Sequence, residues 1–82
     1  MRSVHTAPYK AFLARLVAAR QTAGYTQAEV ARALRMPQSR LSRMESGERR
    51  VDVIELSELA DFYGKSLSYF VPKPTRAPTR TG

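Results

Sequence analysis

The sequence predicts an all-α module, and three observations carry that prediction. Apolar residues recur at helical spacing, acid-ended capping patterns open two of the runs, and glycine or proline closes each run. No segment shows the strict alternation of a half-buried strand. At 82 residues the chain has material for one core only, and a core this size supplies roughly 3–5 kcal/mol unless something reinforces it.

Thr6 and Pro8 start the first helix. Tyr9, Leu13, Leu16, Val17 and Arg20 follow on one side, and Gly24 stops it. Thr26-Gln27-Ala28-Glu29 has the form of a capping box, in which each end residue satisfies the other's backbone N–H. The second helix therefore starts there, turns Val30 and Leu34 inward, and ends near Arg35. Pro37 cannot continue that helix but suits the start of another, which runs from Gln38 to Ser46 with Leu41, Met44 and Glu45 on one side, before Gly47. Asp52 and Glu55 repeat the cap pattern for a fourth helix, on which Leu56, Leu59, Ala60 and Tyr63 share a face up to Gly64. Ser66 is expected to cap a last short turn or helix over Leu67 to Val71, stopped by Pro72. Residues 72–82, with three prolines, three threonines and almost no large apolar side chain, read as a disordered basic tail. The expected organisation is a flexible N-terminus over 1–7, a folded domain over 8–71 and the tail over 72–82.

Fourteen basic residues, eleven of them arginine, stand against seven acidic ones, for a net charge of +7. Arginine's planar fork suits phosphate. The excess is unevenly placed: residues 1–26 contain no acid, residues 27–50 hold six arginines against three glutamates, and residues 51–70 hold one lysine against four acids. A fold that grouped the first half on one face would turn a basic side to a polyanion.

There is no cysteine, and the single histidine, His5, has no neighbours at metal-ligand spacing, so neither a metal nor another cofactor is expected. No apolar run approaches the roughly 20 residues that span a bilayer, and no secretory apolar region follows Met1-Arg2, so a soluble cytoplasmic protein without membrane or small-molecule partners is expected. Catalysis is not expected either. Glu29, Asp52 and Glu55 are accounted for as helix caps, and nothing arranges a nucleophile beside a base.

Two short helices joined by a tight turn, with Val30, Leu34, Met36, Leu41 and Met44 as their apolar positions, describe a helix-turn-helix. The run Thr26-Gln27-Ala28-Glu29-Val30-Ala31, followed by Pro37-Gln38-Ser39-Arg40-Leu41-Ser42 and Glu45-Ser46-Gly47-Glu48-Arg49-Arg50, resembles the Cro/C1 (XRE) family of DNA-binding domains over about residues 9–71. That resemblance implies a compact five-helix, lambda-repressor-like domain. Its third helix would enter the DNA major groove, usually as a homodimer on a palindrome. The implied function is a transcriptional regulator, a repressor by default because occupancy of a promoter suffices, associated with the nucleoid of a prokaryote or phage-infected cell. The alternative is an antitoxin that binds a protein toxin and regulates its own promoter.

With Leu41 inward and about 100° per residue, Ser39, Arg43 and Ser46 face away from the core. Gln38, Ser39 and Arg43 are the expected base contacts, since glutamine pairs bidentately with adenine and arginine with guanine. Gln27, Arg40, Ser42, Arg49 and Arg50 are the expected phosphate contacts. Arg20 and Glu45 sit on inward faces, where unpaired charges are costly, so they are expected to pair; the resemblance implies the same. Ile54, Phe62, Tyr69, Phe70 and Val71 exceed what one small core absorbs and are assigned partly to a dimer face, where this family commonly associates. One position departs from the family pattern. The turn residue after Leu34 is commonly glycine and here is Arg35, expected to be exposed, available to a phosphate, and strained by about 1 kcal/mol in the left-handed region.

Overall fold

The computed structural model describes residues 6–71. They form α1 (Ala7–Thr22), α2 (Gln27–Ala33), α3 (Gln38–Ser46), α4 (Val53–Tyr63) and α5 (Leu67–Phe70), with no strand among the described residues. The flexible N-terminus and disordered tail expected from the sequence fall largely on residues 1–5 and 72–82, outside the described residues. Helix α1 begins one residue ahead of the expected domain boundary at residue 8, because the Thr6 hydroxyl accepts the Tyr9 N–H at 3.2 Å and caps it.

Both capping boxes form. The Thr26 hydroxyl accepts the Glu29 N–H at 3.1 Å while the Glu29 carboxylate accepts the Thr26 N–H at 2.9 Å. The Asp52 and Glu55 pair does the same at 2.7 and 3.0 Å. Such caps satisfy N–H groups that have no partner inside the helix, each contributing about 1 kcal/mol. Ser66 departs from expectation: its hydroxyl lies 3.0 Å from that of Ser68 and makes no cap, so α5 is a single turn held by its packing.

Leu16, Val30, Leu41, Met44, Leu59 and Phe70 are fully buried and form the core with Phe12, Leu13, Ala19, Ala60 and Tyr63. All five helices contribute, so no element is an appendage. Of the residues assigned in part to a dimer face, Phe70 is the one the core takes completely. A one-turn helix has no stripe to share between two surfaces, and Phe70 turns into the space beside α1 and α4, its ring edge-on to Tyr69 at 4.9 Å. Phe62 and Tyr69 are half-buried. Phe62 packs on Tyr25 at 5.0 Å, and the Tyr69 ring is approached by the Lys65 cation at 4.7 Å and the Arg15 cation at 5.9 Å. Of the five residues assigned to the dimer face, Ile54 (64% exposed) and Val71 (56%) are open, and Val53 and Leu67 join them.

Candidate nucleic-acid interface

Helix α3 has two unlike sides. Leu41, Met44 and Glu45 are buried; Gln38, Ser39, Arg40, Ser42, Arg43 and Ser46 are exposed. The 3.6-residue period imposes that division, and it leaves the outer side with hydrogen-bonding heads and no large apolar group. The side chains of Gln38, Ser39, Arg40 and Ser42 have no partner among the described residues. Arg43 has a weak one, Glu48 at 3.8 Å, with both side chains largely in solvent. An exposed pair at that distance contributes about 0–1 kcal/mol and gives way readily to a better acceptor.

Beneath α3 the arrangement is fixed. Arg20 on α1 donates through Nε to Glu45 Oε2 at 2.7 Å and through Nη2 to Oε1 at 3.0 Å, and its Nη1 donates to the Tyr25 carbonyl at 2.9 Å. The side chains are 12% and 4% exposed. Gln27, the first residue of α2, donates its amide to the same Glu45 Oε1 at 2.9 Å. One carboxylate therefore ties α1, α2 and α3 together, and the bond to Glu45 holds the Arg20 guanidinium above its ordinary pKa against the opposing effect of burial. Gln27, expected to meet phosphate at the start of α2, is half-buried and has one amide N–H engaged by Glu45. Tyr63, beside the Arg20–Glu45 pair, carries a buried hydroxyl with no hydrogen-bond partner among the described residues. Burial, reinforced by the Glu45 carboxylate, pushes its pKa up to about 12.

The loop after α3 is held differently. Arg49 donates to Glu55 at 3.0 Å, the carboxylate that also accepts the Asp52 N–H. Arg50 lies over the Tyr9 ring at 4.5 Å, and the Tyr9 hydroxyl accepts the Val51 N–H at 3.2 Å. These two arginines are therefore docked on the protein surface rather than merely solvated, which orients them without removing them from water: Arg49 keeps over a third of its side chain exposed. Between Glu29 and Glu45 there is no acid, and Arg32, Arg35, Arg40 and Arg43, all exposed, lie in that interval.

No helix among the described residues is long and apolar enough to cross a membrane. Comparison with curated proteins finds no match. A family model described as helix-turn-helix matches residues 16–70, from the middle of α1 to the end of α5 and across both faces of the α2–α3 pair. With two thirds of its length matched and all five helices in place around a polar, outward-facing α3, the chain belongs to the Cro/C1-type (XRE) helix-turn-helix family, a family of DNA-binding transcriptional regulators.

Proposed function

We propose that the protein represses transcription by binding a palindromic operator as a homodimer, with α3 of each protomer in the major groove. The observation that carries this reading is the contrast across α3: a face of unpartnered Gln38, Ser39 and Arg40 above a face anchored through Glu45. A helix presented so rigidly, with its polar heads uncommitted, suits readout of base edges. Gln38, Ser39 and Arg43 are assigned to bases, and Arg40, Ser42, Arg49 and Arg50 to phosphates. Gln27 keeps its phosphate assignment through its second amide N–H, since its bond to Glu45 uses only one of the two.

The dimer half of the reading is supported by an apolar surface formed by α1, α4 and α5, which Arg50 borders. An open groove of about 380 Å³ is lined by Tyr9, Phe12, Val53, Leu56, Phe70 and Val71, among others, and Ile54 is exposed on the same helix as Val53. Apolar side chains left in water on a core this small are stabilised by covering them with a second copy. The two-fold axis then sets half-sites about one helical turn, roughly 34 Å, apart or a multiple of it.

Selection of bound duplexes from a random pool at about 150 mM salt tests the reading, since electrostatic binding alone is already weakened there. The expected outcome is a palindrome, recovered by the wild type and lost with Arg43→Ala while the fold survives. Enrichment of no sequence, with binding that only follows ionic strength, would overturn it and direct the search to a protein partner such as a toxin.

A further inference from the structure

Three helices of this protein close with the same pair of backbone hydrogen bonds. At the end of α1, Gly24 N–H donates to Gln21 and Tyr25 N–H to Arg20, at 3.0 and 3.1 Å. At the end of α4, Gly64 donates to Asp61 and Lys65 to Ala60, at 3.1 and 2.9 Å. At the end of α2, Arg35 donates to Arg32 and Met36 to Ala31, at 3.2 and 2.9 Å. This closure requires its penultimate residue to be left-handed, and the three φ values are +85°, +72° and +58°. A Cβ at Gly24 or Gly64 would meet nothing within 4 Å, so φ alone selects glycine there. The same criterion selects glycine at position 35, where an arginine stands instead.

Nothing among the described residues repays that strain. The Arg35 side chain is exposed and has no partner among the described residues. It also adds a cation to an interval that already holds Arg32, Arg40 and Arg43 and no acid. Strain retained against a simple remedy points to a use outside the folded monomer. The location indicates which use. Arg35 precedes Gln38, the first residue of α3, by three residues, so their Cα atoms lie within about 11 Å of each other. The major groove is about 12 Å wide. A cation that close to a helix end inside the groove is within reach of the phosphates that border it.

We infer that Arg35 is a DNA-backbone contact, its guanidinium binding a phosphate on the strand that borders the groove entered by α3. The inference rests on the DNA-binding reading above and deepens it.

The test uses the full chain, with Arg35→Gly and Arg35→Lys, a duplex recovered by the selection and a random-sequence duplex of the same length. Arg35→Gly is expected to raise Tm by a few degrees, because the left-handed strain is relieved. It is expected to weaken binding to both duplexes about five-fold per protomer at roughly 0.15 M salt, the counterion-release factor for one phosphate, and to lower the salt slope by about 0.9 per protomer. Arg35→Lys, with the same charge and the same strain, is expected to keep most of the affinity and the slope. Wild-type affinity and slope in Arg35→Gly would overturn the inference, as would an Arg35→Lys protein as weak as Arg35→Gly, or a Tm that falls in Arg35→Gly. If the wild type binds neither duplex, the DNA-binding reading itself fails, a result distinct from all of these.

Discussion

The junction beneath α3 and the loop that follows α3 are built from the same arginine and glutamate side chains and differ in what surrounds them. At the junction, Arg20 and Glu45 are almost sealed from water and both Glu45 oxygens accept hydrogen bonds from another helix. In the loop, Arg49 meets Glu55 at a comparable distance of 2.9 Å but keeps more than a third of its side chain in solvent, and Arg43 only approaches Glu48. Burial decides the difference in role. A sealed pair cannot lose one member without stranding the other charge, so it fixes a helix angle; an open pair exchanges its partner for water at little cost, so it can be handed over to a ligand.

The most severe way to break that contrast is Glu45→Ala. The Arg20 guanidinium is left buried and unpaired, Gln27 loses its acceptor, and about 3–5 kcal/mol of stability is expected to go, enough to unfold most of a domain this small. Urea unfolding measures it. The double replacement Arg20→Met with Glu45→Leu is expected to recover most of the loss, because no charge then remains inside. A loss under 1 kcal/mol in the single variant would show that the junction is not sealed.

Next in size is Arg43→Ala, on the open side. Specific binding is expected to weaken by about 1–3 kcal/mol, the discrimination carried by one bidentate base contact. Unfolding is expected to move by less than about 0.5 kcal/mol, since the side chain holds nothing but a 3.8 Å approach to Glu48. A titration of the selected duplex beside a thermal melt separates the two effects.

Glu55→Ala lies between the two regimes. It removes an acceptor shared by the Asp52 N–H and Arg49, and a loss of about 1–2 kcal/mol is expected, most of it from the cap. If Glu55→Gln, which can still accept the N–H, loses as much as the alanine, the open ion pair rather than the cap would be the larger contribution.

The smallest expected effect is that of Tyr63→Phe. The hydroxyl it deletes is buried without a partner, so stability at neutral pH is expected to stay level or rise by up to about 1 kcal/mol. The pH dependence is sharper. With a folded pKa of about 12 against an ordinary 10.0, the folded state holds the proton more tightly than the unfolded one. The stabilisation is therefore complete below about pH 10 and drains away as pH rises towards 12. Tyr63→Phe is expected to flatten that part of the alkaline limb, which unfolding curves at a series of pH values would reveal.

The helix boundaries were legible in the residues because they are decided locally. Thr26 with Glu29, and Asp52 with Glu55, bond to backbone three positions away whatever the rest of the chain does, and a left-handed stop after α1 or α4 needs only a glycine at Gly24 or Gly64. The inward direction of Glu45 was legible too, from the period that carries Leu41 and Met44, and an inward carboxylate calls for a cation. What escaped was the identity of third partners. Nothing in the spacing of Gln27 shows that its amide turns to an acceptor 18 positions later, nor that Arg50 settles over Tyr9.

The apolar surplus at the end of the chain marks the same boundary. Composition shows that Ile54, Phe62, Tyr69, Phe70 and Val71 are more than one small core needs, but not which of them the core takes. Phe70 is taken completely, Phe62 and Tyr69 in part, and Ile54 and Val71 stay outside. Periods, caps and the sign of the charge act over a few residues and so can be read along the chain. Which side chain fills a shared space depends on the volume left by every other helix, and that volume exists only once all five have packed.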